Sequence, residues 1–342
     1  MAHITTVKWF TKERMDMISE DNKKKYEKYL RSCTIKNMDV KDTTYKTYQS
    51  NFNQFLCFLA VNYNNIDLYS DEFAEDAVDI MEDYIAFCQE TLKNHKKTIN
   101  NKLAAVSSFF IWSLKRGLIK AHPFDNKLDR MKGANDEKVI NSYFLTEEQV
   151  QTIRRELELN DKFNIQDQIL FEIAYDSANR IGALEKLTLS SLDLENMMFT
   201  GIREKRGKLV EVVFEEKAAE LLHEWLEMRK EEYDHLEVDA PLIVYYGGKY
   251  SPMTRSVIHD RMRKIGKIVG IDDFRAHCVR KSKLNNVYDE TGDLMLAAEL
   301  AGHKDVSTTR SHYIKEKTKA EIRDKINALK KKREAELSEN NE

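Results

Sequence analysis

Aromatic and aliphatic residues recur every three or four positions through most of this chain, and little in it stops a helix. Its 342 residues include only three prolines and eleven glycines, the two residue types that most often punctuate helices. Between Thr43 and Asn62 the stripe reads Tyr45, Tyr48, Phe52, Phe55, Leu59, which is one face of an amphipathic α-helix. Asp71 to Leu92 predicts a second helix with Ile80, Tyr84 and Phe87 inward. Lys97 to Arg116 predicts a third, with Ile99, Leu103, Val106, Phe110 and Leu114 on one face and Gly117 as its stop. A polar helix is expected between Ser19 and Ser32. Stripes of this kind are core faces far more often than platforms for stacking bases.

The length suits two domains. From Asn126 to Ser142 the apolar pattern lapses into NKLDRMKGANDEKVINS, which reads as a linker. A new domain opens at Leu145 with Thr146-Glu147-Glu148-Gln149, the form of a helix capping box. Helices follow to Glu158 and from Ile165 to Ser177. The period then changes: Met198–Ile202 and Leu209–Phe214 are short β-prone runs around a basic turn, Arg203 to Lys208. Helices resume from Lys217 to Glu232. After a Gly247-Gly248 turn they continue at Arg255–Val269, His277–Tyr288 and Leu294–Leu300. A last helix, Lys315–Leu337, carries a narrow stripe of Ile322, Ile326 and Leu329 that fits docking on its own domain or on a neighbouring protomer. Residues after Ser338 are expected to be disordered. The expected fold is mainly α with a small antiparallel β-sheet.

Composition excludes several classes. Hydrophobic residues make up 42% and charged residues 33%, and no apolar run approaches a membrane span. The opening MAHITTVKWFTKERM has no apolar core of a secretory signal. Cys33, Cys57, Cys88 and Cys278 are scattered, as reduced thiols in a cytoplasmic protein would be. The net charge of −3 hides a segregation: Asp71–Glu90 has eight acids and no Lys or Arg, whereas Thr91–Lys132 has ten basic residues and two acids. A segment of that sign can build a phosphate-binding face whatever the total. Its outward candidates are Lys93, His95, Lys96, Lys97, Asn100, Asn101 and Lys102, at the start of a helix. Charge alone does not separate this from two solvated helix faces.

Four pieces of the second domain carry chemistry. FEIAYDSANRIGALEKLTLSSLDL holds Arg180, the basic turn holds Lys205, FRAHCVRKS holds His277 and Arg280, and LAGHKDVSTTRSHY holds His303 and Tyr313. Each residue alone has an ordinary reading as a helix-end charge, a turn lysine or a core histidine. The set, in this order and these contexts, resembles the tyrosine recombinase (phage integrase) family, most closely integrases of Gram-positive phages or mobile elements. The resemblance covers the second domain and extends more loosely to Thr43–Asp125, through TYKTYQSNFNQFLCFLA and INNKLAAVSSFFIWSLKRG.

That resemblance implies a site-specific DNA recombinase that works without metal or ATP. Tyr313 would attack a DNA phosphate and form a 3′-phosphotyrosyl ester, with exchange completed through a Holliday junction. Arg180 and Arg280 would clamp the phosphate, Lys205 would protonate the leaving 5′-oxygen, and His277 and His303 would hydrogen-bond the phosphate and move protons. Lys208 competes with Lys205, because hairpin register is not fixed by sequence. It also implies an N-terminal extension (1–42), a helical core-binding domain (43–125), a linker (126–142), a catalytic domain (143–314) and a tail (315–342) docking in trans. The implied partners are double-stranded core sites and a homotetramer on two duplexes. A directionality factor or host DNA-bending protein is left open, as is arm-site binding by the extension.

The chain departs from the family pattern in places. Ala178-Asn179 stand where Gly-Leu is common before the first arginine. Ala183 stands where a carboxylate is usual three residues after it, leaving Glu185 as the nearest acid. The His303–Tyr313 interval is ten, as in many integrases of Gram-positive mobile elements, rather than nine. A catalytically silent DNA-binding regulator on the same fold is the alternative; it has no chemical reason to keep all six groups. A type IB topoisomerase shares the nucleophile, but the two-domain layout and short tail fit a recombinase better.

Overall fold

The computed structural model of the chain describes residues 9–36, 42–133, 143–204, 208–233, 237–316, 318–324, 326–327 and 330. It divides into two compact units, Met1–Val139 and Ile140–Glu342, each with its own apolar core.

The first unit is helical: α1 (Lys12–Asp16), α2 (Glu20–Lys36), α3 (Asp42–Asn62), α4 (Asp71–Glu90) and α5 (Lys96–Lys115). The striped faces meet in its centre, where Phe52, Phe55, Phe73, Tyr84, Phe109 and Phe110 are at most 1% exposed. Tyr26 of α2 stacks on Phe52 with ring centroids 3.8 Å apart, so residues ahead of the predicted domain share its core. Burying one such side chain contributes about 2 kcal/mol. The Ser70 hydroxyl caps α4 by accepting from the Phe73 N–H, and Asp71 and Glu72 sit in the first turn, where the helix dipole favours negative charge. All eight acids of α4 are exposed, so that run is a solvated face. Helix α5 ends at the expected glycine, Gly117, whose φ of +67° is the left-handed conformation that closes a helix. Residues 126–133 of the expected linker form turns and coil; 134–142 lie outside the described residues.

The second unit runs α6 (Glu147–Leu159), α7 (Ile165–Ser177), α8 (Ile181–Leu184), β1 (Leu192–Asp193), β2 (Met198–Arg203), β3 (Leu209–Val213), α9 (Glu216–Tyr233), β4 (Ile243–Tyr246), β5 (Lys249–Pro252), α10 (Arg255–Gly266), α11 (Ala276–Thr291), α12 (Leu294–Leu300) and α13 (Val306–Tyr313). The capping box forms as its pattern requires, Thr146 and Gln149 exchanging side-chain-to-backbone hydrogen bonds at the start of α6. Helix α7 is the hub, buried along nearly its whole length against α6, α9, α10 and α11. Three of its buried polar side chains have firm partners, as burial demands. Gln166 accepts from the Ile243 N–H at 2.8 Å, Asp167 pairs with Arg261 at 2.9 Å and Glu172 with Arg154 at 2.7 Å.

Strands β1, β2 and β3 form an antiparallel sheet in that order. The register of β2 on β3 slips between Phe199 and Ile202, where β2 carries one extra residue and Gly201 adopts φ +68°. This bulge turns Phe199 and Ile202 inward although they are three apart, a spacing that regular alternation forbids. The Gly247-Gly248 turn was legible; the short strands it joins, β4 and β5, were not. Helix α13, VSTTRSHY, carries no apolar stripe that would mark it in the sequence; Asp305 caps it by accepting from the Ser307 N–H. In the tail, Thr318 and Glu321 exchange capping bonds and residues 319–324 are helical, with Ile322 and Ile326 exposed. Leu329 and everything after Lys330 lie outside the described residues. No helix among the described residues is long and apolar enough to cross a membrane.

Candidate active site

Arg280 is the most deeply set charged group in the chain's second unit. It rises from α11 and is 0% exposed. A buried guanidinium needs acceptors on its donors. Here Nη1 donates to the Ala178 carbonyl, and Nη2 donates to the Ala301 carbonyl at 2.9 Å and to His303 Nε2 at 3.0 Å. Ala178 closes α7 in the left-handed region (φ 47°, ψ 24°), and this turns its carbonyl toward Arg280 and sends the chain into Arg180. Desolvation lowers the Arg280 pKa, and the Arg180 charge lowers it further.

The bond from Arg280 assigns the imidazole tautomer of His303. Arginine can only donate, so Nε2 accepts, and Nδ1 carries the proton and donates to Thr309 Oγ1 at 2.7 Å. Thr309 is itself fully buried on α13. The Tyr313 ring, 7% exposed, completes the cluster. Its centroid lies 4.9 Å from the His303 ring, 5.3 Å from the His277 ring and 5.1 Å from the Arg280 guanidinium carbon. Burial first, then the charges of Arg280 and Arg180, pushes the His303 pKa down to about 4. His277 keeps a solvent-facing edge; partial burial, then Lys281, Arg280 and Arg180, pushes it to about 4 as well. Both rings are therefore neutral at pH 7.

Arg180 stands at the start of α8, half-exposed, on the wall of an open cleft shared with Asn179, Glu204, Lys208 and Gly302. Its Nη1 donates to Glu204 Oε2 at 3.1 Å. In the sequence Glu204 is the one acid inside an otherwise basic turn, with nothing local to mark it. Glu185, the acid expected nearest to Arg180, instead accepts from the backbone and side chain of Arg255, at 3.2 Å and 2.8 Å, and so fastens the start of α10. The reason is direction: Glu185 follows the last residue of the one-turn helix α8 and faces a helix N-terminus with an arginine on it. Lys208 Nζ donates to the Gly302 carbonyl at 3.0 Å, beside His303. Lys205 lies outside the described residues.

On the first unit, Lys93, His95, Lys97 and Asn101 are exposed around the start of α5 and Lys96 is half-buried. His95 occupies the N-cap without a side-chain capping bond. Two expected members turn away from that face. Lys102 is 4% exposed, with Nζ 3.9 Å from Cys88 Sγ. It falls three after Ile99 and four before Val106, on the apolar stripe itself, and burial lowers its pKa. Asn100 exchanges both amide hydrogen bonds with the backbone of Met131, at 3.1 Å and 3.0 Å, which fastens the segment after α5.

A helical unit followed by an α7-centred unit with a bulged antiparallel sheet is the architecture of the two-domain tyrosine recombinases. The phage integrase family matches residues 143–320, and the chain belongs to that family of tyrosine-type site-specific DNA recombinases. It is 25% identical over 275 residues to the tyrosine recombinase XerD of Lacticaseibacillus casei, covering 78% of this chain and 86% of the relative. It is 27% identical over 216 residues to XerC of Lactobacillus delbrueckii subsp. bulgaricus, covering 62% and 70%. Among solved structures it resembles the Tn1549 transposon integrase in complex with circular intermediate DNA, with TM-score 0.63, 17% identity and coverage of 90% and 99%. It also resembles the XerH recombinase bound to its palindromic difH substrate after cleavage, with TM-score 0.64, 18% identity and coverage of 91% and 95%.

Proposed function

We propose that this chain cuts and rejoins DNA at specific core sites, with Tyr313 as nucleophile, as the integrase of a phage or mobile element. The observation that carries the reading is the convergence of Tyr313, His303, His277 and Arg280 in one cluster, centroids about 5 Å apart. Attack by the phenol oxygen on a phosphate forms a 3′-phosphotyrosyl ester and frees a 5′-hydroxyl; attack by the partner strand's 5′-hydroxyl reverses the ester. Two such rounds through a Holliday junction exchange the strands. Arg180 and Arg280 would take the equatorial oxygens of the transition state and supply its positive charge, each worth about 10²- to 10³-fold in rate. The phenol's proton needs an acceptor, and His277 is neutral at pH 7 and borders its ring, whereas the Nε2 lone pair of His303 is already taken by Arg280. Lys205, with Lys208 as the competing residue, protonates the leaving oxygen.

The first unit would hold the duplex by phosphate contacts from Lys93, His95, Lys96, Lys97 and Asn101. Four copies on two duplexes, each tail from residue 315 docked on a neighbour, complete the assembly.

A nicked suicide duplex bearing the cognate core site tests the reading. A covalent protein–DNA adduct that disappears in Tyr313→Phe supports it. Tight sequence-specific binding with no adduct would leave the silent regulator in its place. A 5′-phosphorothiolate substrate separates the two lysines. A thiolate leaves without a proton, so it restores cleavage only to the variant, Lys205→Ala or Lys208→Ala, that has lost the general acid.

A further inference from the structure

We propose that Glu204 is the positioning carboxylate of the Arg180 guanidinium, in the place left empty by Ala183. The inference rests on the function proposed above. Arg180 stands on a one-turn helix with its side chain half in solvent, and nothing in its own segment orients it. Ala183 has no side-chain acceptor, and Glu185 is committed to Arg255. Glu204 reaches Arg180 from the sheet instead, with Oε2 3.1 Å from Nη1 and its side chain only 8% exposed.

Three features make this more than a surface ion pair. The first is burial. Glu204 Oε1 is shut off from solvent with no hydrogen-bond partner, as is Arg280 Nε, and the Glu204 charge acts on Arg280 as well. The carboxylate thus pairs with Arg180 and bears electrostatically on Arg280 as well. The second is backbone anchoring. The Glu204 N–H donates to the Lys208 carbonyl at 2.7 Å and closes the base of the hairpin, so its position is set by the sheet. The third is the bulge at Gly201. With regular alternation from the buried Phe199, Arg203 would face inward and Glu204 outward; the extra residue reverses this. One acceptor engages one edge of Arg180 and leaves its remaining donors toward the cleft, where a phosphate oxygen takes them.

The test measures single-turnover cleavage of a suicide duplex at saturating protein, with DNA affinity and thermal unfolding measured alongside. Misplacing a positioning group costs up to about 100-fold in rate. Glu204→Ala is expected to lower the cleavage rate constant by about that much with DNA affinity unchanged. Glu204→Gln, which keeps the shape and loses the charge, falls between, and Glu204→Asp recovers part of the loss. Because Glu204 acts through Arg180, a 5′-phosphorothiolate substrate leaves the Glu204→Ala defect in place. Three outcomes overturn the inference: an unchanged or faster rate, which would make Glu204 a stand-in for phosphate; full recovery on the thiolate substrate, which would assign it to alignment of the general acid; or losses in all three variants that only follow a falling melting temperature. The wild-type adduct is the control in every arm. If wild type forms none, the proposed function fails; if it does and Glu204 behaves as in these three cases, only this inference fails.

Discussion

The two units bury different things. The core of the first is a lattice of rings: Tyr26 on Phe52, Phe73 against Phe110 and Phe109 against Tyr69. The second buries charge at its centre, with Arg280, Asp167, Glu172 and Asp176 all under 5% exposed. Apolar burial is non-directional, so no ring depends on one particular partner atom. A buried ion needs its partners in fixed places, and that same fixity suits the phosphate clamp proposed above. The first unit is built to persist, the second to aim.

Substitutions in the two centres should therefore fail in different ways. Arg280→Ala removes clamp donors and leaves the Ala178 and Ala301 carbonyls unpaired. Cleavage of the suicide duplex should fall at least about 10³-fold, and urea unfolding should show a loss of about 2 to 4 kcal/mol. Phe52→Ala should cost about 3 to 5 kcal/mol while the cleavage rate per folded, DNA-bound molecule stays as in wild type. A large rate defect in Phe52→Ala would break the comparison.

Acid separates three titrating groups of the second unit from one another. The pKa values of His277 and His303 are depressed in the fold, so the unfolded chain binds more protons between about pH 4 and 6.5. Their contribution is complete above pH 6.5 and is lost as pH falls toward 4. Asp176 runs the other way. Desolvation raises it to about 6, so its neutral form is favoured by the fold, and that contribution is present near pH 4 and lost as pH rises through 6. Asp176→Asn keeps an acceptor for the Glu215 N–H and removes the opposing slope. Its stability, from urea midpoints, should climb more steeply from pH 4 to 6 than that of wild type, by up to about 1 kcal/mol per pH unit.

Smaller effects distinguish outward from inward lysines on α5. Lys97→Ala should weaken DNA binding a few-fold and reduce the salt-dependence slope by about 1, whereas Lys102→Met should leave both unchanged. Smallest of all is Ala178→Gly. Relief of left-handed strain, about 1 kcal/mol, is offset by the lost buried methyl, about 0.8 kcal/mol. Chemical denaturation should place the variant within about 1 kcal/mol of wild type.

The sequence by itself determined most of the long helices and put forward Tyr313 as the candidate nucleophile. Apolar spacing set α3, α4 and α5, the Thr146–Gln149 pattern set the start of α6, and the family resemblance picked out Arg180, His277, Arg280, His303 and Tyr313. These depend on intervals within one element or on contexts of a few residues, which a linear reading can see. What only the tertiary structure decided depends on which face a side chain takes and what meets it there. The bulge at Gly201 put Glu204 beside Arg180, Arg255 drew Glu185 away, and the turn at Ala178 aimed a carbonyl at Arg280. Thr309 fixed the proton on His303 from a helix with no clear stripe, and Lys102 followed its apolar neighbours inward. A one-residue slip in a strand, or one position of phase on a helix, reverses such an outcome. Only the packing of distant segments sets it.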